Sequence, residues 1–233
     1  MCVEYVPLQT NQRLLFADTL RLTVPEVAFK PSVFPLDAAP FIRRNPGTGG
    51  IECIAATFGL IPFWSRDRSI GRKTYNARSE TVAEKPAYRG AWRQRHFGIA
   101  PMAAFYEPSW ETGKAVRWRI EAPASESMGA AAIWDRWKRP DGSEEVSFSL
   151  LTMNADSHPL MRRFHGPKDE KRMLVLLHPV HFADWLDATA QAAPAFVQAY
   201  PAELMAAQAE PRPPRAAKTA ATSAASAATP AED

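Results

Sequence analysis

The sequence predicts an α+β fold built mostly of antiparallel sheet. Three observations predict it. Short apolar segments bounded by turn residues dominate the chain, helical stretches are fewer and scattered among them, and Pro140-Asp141-Gly142-Ser143 is a turn signal between two of the apolar segments. Taken in order, residues 12–22 read as a helix and 52–60 as a strand. Residues 79–85 read as a helix capped by Ser79, and 88–94 as a short second one. Strands are expected over 97–106, 115–121, 129–134, 147–153 and 171–177, each a run of apolar residues closed by polar or turn residues. Residues 179–190 read as a helix, and 194–208 have helix-forming composition with one break at Pro201. No internal repeat is present.

With 233 residues, 46% of them hydrophobic and 10% aromatic, the chain can bury a real core in one domain of good size or two small ones. The organisation expected is a single domain over residues 1–207. A tail over 208–233, rich in Ala, Ser, Thr and Pro, has no aromatic residue and cannot offset its ordering entropy. No apolar run approaches the roughly 18 residues of a membrane span, and the start of the chain lacks a signal-peptide pattern. A cytoplasmic protein without a membrane partner is expected. The two cysteines, Cys2 and Cys53, make no disulfide framework, and the histidines lack zinc-site spacing, so neither metal nor cofactor is expected.

Net charge is only +3, but it is uneven. Between Arg66 and Arg95 stand nine Lys/Arg against Asp67, Glu80 and Glu84, and between Arg162 and Arg172 five basic residues stand against two acidic. Such a stripe is either a solvated face or a nucleic-acid footprint. The interleaved Trp64, Tyr75, Tyr88 and Trp92 tilt the reading toward single strands, whose bases stack on aromatic rings.

Cys2 directly follows Met1. Its side chain is small enough for aminopeptidase removal of Met1, which would expose an α-amine beside a thiol. A 1,2-aminothiol attacks an aldehyde twice, through nitrogen to an imine and through sulfur to a thiazolidine. The α-amine titrates near ~7.7–8.0, against ~10.4 for lysine, so a useful fraction is nucleophilic near neutral pH. Polar residues also collect beside apolar strands in Tyr75-Asn76-Ala77-Arg78-Ser79-Glu80-Thr81, Phe105-Tyr106-Glu107-Pro108, Thr152-Met153-Asn154-Ala155 and Arg163-Phe164-His165-Gly166. Singly, each has a bland reading: a turn for Asn76, a strand end for Glu107, a loop histidine for His165, a small buried hydrophobe for Cys2.

Together, with Ala38-Ala39-Pro40 and Gly59-Leu60-Ile61-Pro62-Phe63-Trp64, these segments resemble the SRAP (SOS-response-associated peptidase) family over roughly residues 1–186. The resemblance implies an open barrel-like sheet core with peripheral helices. It implies a monomer that senses abasic sites in single-stranded DNA and crosslinks to them through Cys2 in the DNA damage response, joining the nucleoid when bound. Peptidase chemistry is implied by removal of Met1, by an aminopeptidase or by the protein itself, and lyase-type chemistry by the reaction at the abasic site. By the same resemblance His165 assists opening of the sugar ring, Glu107 is the general acid/base, and Asn76 holds the crosslink. Arg78 pairs with a flanking phosphate, while Pro40 and Trp64 wedge and stack against bases. Val3-Glu4 stands where the family often has Gly-Arg, and a Glu4 facing DNA would repel phosphate. Two other readings stay open: an N-terminal-nucleophile amidohydrolase using the Cys2 thiolate, and a noncovalent single-strand binding module with a structural Cys2.

Overall fold

Thirteen consecutive residues, Phe97–Ser109, form the longest strand and tie the fold together. The computed structural model describes residues 2–8, 20, 22, 27–122 and 128–212. Within them the strands are β1 (Tyr5–Pro7), β2 (Ala38–Arg44), β3 (Ile51–Phe58), β4 (Asn76–Arg78), β5 (Phe97–Ser109), β6 (Val116–Glu121), β7 (Met128–Lys138), β8 (Glu144–Asn154), β9 (Arg172–Leu174), β10 (Leu176–Leu177) and β11 (Ala206–Ala209). Helices α1 (Arg89–Arg93) and α2 (Phe182–Asp187) are short, Leu20 is also helical, and 3-10 turns supply the remaining helical residues described.

The expected barrel is present, and it closes. Strand β5 pairs with both β2 and β7, β7 pairs with β8, β8 with β3, and β3 with β2, so five strands return on themselves. Of the five seams that close this barrel, β3–β8 alone is parallel; β4, outside it, also runs parallel to β8. Closure removes edges that would otherwise expose unpaired backbone groups. Phe148 stacks on Phe41 with ring centroids 4.5 Å apart and lies 5.6 Å from Phe58, so aromatic rings from three strands fill the core. Each such pair adds about 0.5–1.5 kcal/mol beyond its buried area. Outside the barrel, Phe182, Trp185 and Leu186 share the inner face of α2. The Trp185 indole N–H donates to the Gly98 carbonyl at 2.8 Å, anchoring α2 over β5.

Strand β5 leaves the barrel partway along. Its first half, residues 97–102, pairs with β7, while residues 102–109 pair with β1 and β6. The far end of β5 is therefore free to carry chemistry beside the N-terminal segment. A second device brings the 59–76 segment to the same region. Gly59 (φ +101°) passes so close to Gly71 that a Cβ on either glycine would overlap the other's carbonyl. Below this crossing, Thr74 Oγ donates to the Leu60 carbonyl, and the chain then enters β4 alongside β8.

Several elements differ from the sequence expectation. Residues 79–85 form turns, not a helix, because the Ser79 N–H donates to the Thr152 carbonyl (2.9 Å) and Glu80 is drawn to Arg172. Residues 171–177 divide into β9 and β10, which pair with β8 and β7 respectively. Over 194–208 no α-helix forms: one 3-10 turn, Ala193–Phe196, carries Pro194 near its start, a second, Ala202–Leu204, follows Pro201, and the chain then adds to the edge of β6 as β11. A boundary at residue 207 thus falls inside β11, and the described chain continues to Arg212. The helix expected over 12–22 lies outside the described residues except at Leu20 and Leu22, as does the tail beyond Arg212. Among the described residues no helix is long and apolar enough to cross a membrane.

Candidate active site

Strand β1 pairs antiparallel with β5, with Tyr5 opposite Phe105 and Val6 opposite Ala104. The Tyr106 N–H extends the ladder by donating to the Glu4 carbonyl at 3.1 Å. Residues preceding Tyr5 therefore run toward Glu107. Cys2, at this end, is fully buried, and its thiol donates to the Glu4 carbonyl at 3.4 Å. Burial pushes the Cys2 thiol far above its ordinary range, and the nearby charge of Glu107 pushes it further. The sulfur is held as a neutral thiol.

Asn76 opens β4, which β8 fixes in parallel register with Asn76 opposite Leu150. Its side-chain N–H donates to the Cys2 carbonyl at 2.8 Å, and its own main-chain carbonyl accepts from the Tyr88 hydroxyl at 3.0 Å. The Asn76 side-chain oxygen is buried and makes no hydrogen bond, leaving an acceptor for an incoming donor.

His165 reaches the end of β5 from the other side. Ser109 and Phe164 form an isolated bridge, and the His165 N–H donates to the Pro108 carbonyl at 2.8 Å. The residue sits at φ +66°, a left-handed conformation that costs a non-glycine residue on the order of 1–3 kcal/mol and persists where contacts over-determine it. Here the ring supplies one such contact, Nε2 to the Arg172 carbonyl at 2.9 Å. A carbonyl can only accept, so Nε2 carries a proton, and a neutral His165 presents an unprotonated Nδ1. That Nδ1 lies 3.6 Å from a Glu107 carboxylate oxygen. Glu107 is only 3% exposed, and burial raises its carboxyl pKa, an effect that a protonated His165 would partly offset. Tyr75 lies close to the same groups: burial pushes its hydroxyl pKa up, and the Glu107 carboxylate pushes it further.

Four of the residues singled out in the sequence, Cys2, Asn76, Glu107 and His165, thus converge where β1, β4, β5 and the 164–172 loop meet. The result is an acid/base pair beside a buried thiol, with an amide gripping the main chain of the thiol-bearing residue. Among the described residues no three His, Cys, Asp or Glu side chains group as metal ligands.

The remaining candidates lie farther out. Arg78 is half exposed and pairs with Glu170 at 2.8 Å, and Glu170 also accepts from Arg172 at 2.7 Å. Arg172 is buried and forks onto Glu80 while also donating to Thr152, so one ionic cluster ties β4 to the loop that carries His165. Trp64 is 48% exposed beside the exposed Phe63, and both line a groove with Pro86, Arg89 and Arg93. Pro40 differs from expectation: it is buried within β2 opposite Ala55, so its ring offers no face to a base.

Glu4 also departs from expectation. It does not face outward but is 4% exposed, with its carboxylate accepting from Arg117 at 2.8 and 3.1 Å and from Arg212 at 2.6 Å. Burial alone would raise its pKa; the two guanidinium groups outweigh that and hold it below the usual carboxylate range. A local sequence signal hints at this network. Arg117 and Arg119 alternate along β6 and so share a face, which demands acidic partners when half buried.

Comparison with known proteins places the chain in a family. The family model for SOS response associated peptidase (SRAP) matches residues 1–211. The chain is 31% identical over 133 residues to the abasic site processing protein YoqW of Bacillus subtilis, covering 56% of this chain and 55% of that protein. It is likewise 31% identical to YoaM of the same organism over 56% of this chain and 54% of that protein. The chain thus spans about half the length of the curated relatives it matches. A crystal structure from Bordetella bronchiseptica superposes with a TM-score of 0.80 at 33% identity, covering 90% of this chain and 99% of that one. One from Bacteroides thetaiotaomicron, at 22% identity and a TM-score of 0.75 over 89% and 91% of the two chains, shares the fold.

Proposed function

The chain belongs to the SOS response associated peptidase family, and from that membership we propose that it processes abasic sites in single-stranded DNA by bonding covalently to them through Cys2. Curated relatives carry the name abasic site processing protein. The observation that carries the reading is the convergence of a gripped, buried Cys2 with the Glu107–His165 pair.

Removal of Met1, by an aminopeptidase or by the protein itself, frees the Cys2 amine. An open abasic site presents an aldehyde at C1′, and His165 assists the ring opening that exposes it. The amine nitrogen attacks this carbon. Glu107 accepts a proton from the amine and returns one to the departing hydroxyl, so water leaves and an imine forms. A carboxyl whose pKa is raised by burial suits both halves of this exchange, because its two protonation states lie closer in energy near neutral pH. The Cys2 sulfur then adds to the imine carbon while its proton passes to the imine nitrogen, closing the thiazolidine. A thiol kept neutral until this step has the proton that the step consumes. Asn76 holds the Cys2 carbonyl through the sequence, and its unbonded oxygen is available to the new amine or to a sugar hydroxyl. Arg78 contacts a flanking phosphate and Trp64 stacks on a base. The product shields the lesion from strand cleavage, and no metal or cofactor takes part.

The test is an abasic single-stranded oligonucleotide mixed with purified protein and run on a denaturing gel. Intact mass should show Cys2 as the first residue. A covalent band should form with wild type and vanish in Cys2→Ala. No band with wild-type protein that begins at Cys2 rejects the covalent reading.

A further inference from the structure

The reactive end of the chain has an unusual anchor. Freed of Met1, residues 2–4 form a chain terminus, the kind of segment that frays unless tied down. Two residues from that terminus, Glu4 grips the fold twice. Its main-chain carbonyl receives both the Tyr106 N–H and the Cys2 thiol, and its carboxylate is forked by Arg117 and closed by Arg212. A fork of this kind fixes orientation as well as position.

Arg212 comes from the opposite end of the chain. Strand β11 pairs with β6 from Ala206 opposite Glu121 to Ala209 opposite Trp118, and the Glu210 N–H continues the ladder to the Arg117 carbonyl at 2.9 Å. Arg117 returns the contact, donating to the Glu210 main chain at 3.0 Å and side chain at 3.2 Å. It also lies flat on the Tyr106 ring, 3.3 Å from its centroid, while the Tyr106 hydroxyl meets Glu210 at 3.1 Å. Arg212 then crosses the Phe34 ring at 5.5 Å to reach Glu4. The last described turn of the chain thus straps the segment that carries Cys2.

We propose that residues 206–212 are a positioning strap for the covalent step, with Arg212 and Arg117 acting through Glu4 to aim the Cys2 thiol at the imine. The inference rests on the function proposed above. The strap touches no reacting atom. Its effect falls on ring closure, where the sulfur must meet a carbon already tethered through the neighbouring nitrogen, and not on capture of DNA. Glu4, with its charge fully used inside the protein, neither repels nor attracts phosphate.

Two variants test this in full-length protein: Arg212→Ala, which removes the exposed outer clamp, and Arg212→Lys, which retains its charge. Single-turnover crosslinking is measured against abasic oligonucleotide concentration, with and without cyanoborohydride, which traps the imine. Thermal melts accompany each variant. Arg212→Ala should lower the saturating rate of thiazolidine formation about threefold to tenfold, in line with loss of one partly exposed ion pair that orients a reacting group. Its half-saturating DNA concentration should stay within about twofold, its cyanoborohydride-trapped fraction should rise, and Arg212→Lys should recover most of the rate. A wild-type saturating rate in Arg212→Ala overturns the strap. So does a loss confined to half-saturation with a shallower salt slope, which would make Arg212 a phosphate contact. Wild-type protein that forms no crosslink at all refutes the underlying function instead, and the two failures are read from different lanes of the same gel.

Discussion

Replacing Glu107 with Gln keeps the shape of the site and removes one proton-transfer group, so it separates chemistry from binding. Glu107 lies 3.6 Å from His165 Nδ1 and is almost wholly buried, so no solvent carboxylate can replace it. General acid–base assistance is worth roughly 10²–10⁴-fold, or about 3–5 kcal/mol of barrier at 1.36 kcal/mol per tenfold. His165 remains in the site and would carry part of the load, so the expected loss in saturating crosslinking rate is near the lower bound, about 10²-fold, with DNA affinity unchanged. Stability should move the other way. A carboxyl whose pKa is raised on folding binds its proton more tightly in the native state. Native stability therefore falls as pH rises from the unfolded value of about 4.3 through the raised folded value. Glutamine removes that loss. Thermal melts should show Glu107→Gln more stable than wild type at pH 7.5, with the gain fading toward pH 4. Single-turnover rates from pH 5 to 9 and paired melts check both halves. A wild-type rate across that range, together with an unchanged melting temperature at pH 7.5, would show that Glu107 neither carries protons nor is destabilised by its burial.

Two further variants probe the rim and the scaffold. Glu170→Gln should free Arg78 from its 2.8 Å ion pair while Glu80 still holds Arg172, raising single-stranded DNA affinity about twofold to fivefold. The salt slope should also steepen, by up to about 0.7 in log K per log salt; equal or weaker binding in a filter assay would remove Arg78 from the interface. Gly59→Ala should destabilise the fold by about 2–4 kcal/mol, adding positive-φ strain to a clash with the Gly71 backbone. That corresponds to a melting point lower by roughly 5–10 °C, and a melt within a degree of wild type would show that the crossing relaxes.

Much of this protein is legible in its sequence because the informative signals are local. Strands β3 and β5 to β8 show as apolar runs bounded by turns, and the role proposed for Cys2 follows from its place next to Met1. Asn76, Glu107 and His165 stand out as polar residues beside such runs, and their joint order pointed to the family. Signals that depend on distant partners were not readable. Asn76 and Arg78 belong to a strand only because β8 lies alongside, and residues 79–85 lose their helix to Thr152 and Arg172. Composition favours a helix near 206–209, but the open edge of β6 makes it a strand. Pro40 fits a family pattern, yet β2 buries it.

Glu4 marks the division most sharply. The order of residues alone puts a carboxylate two positions from Cys2, where charge suggests repulsion of DNA. The fold turns this charge inward, because Arg117 from β6 and Arg212 from beyond β11 arrive at the same point. A carboxylate is costly to bury alone and stable when doubly paired. Whether its partners meet it depends on residues 113 and 208 positions away in sequence, which no local pattern encodes.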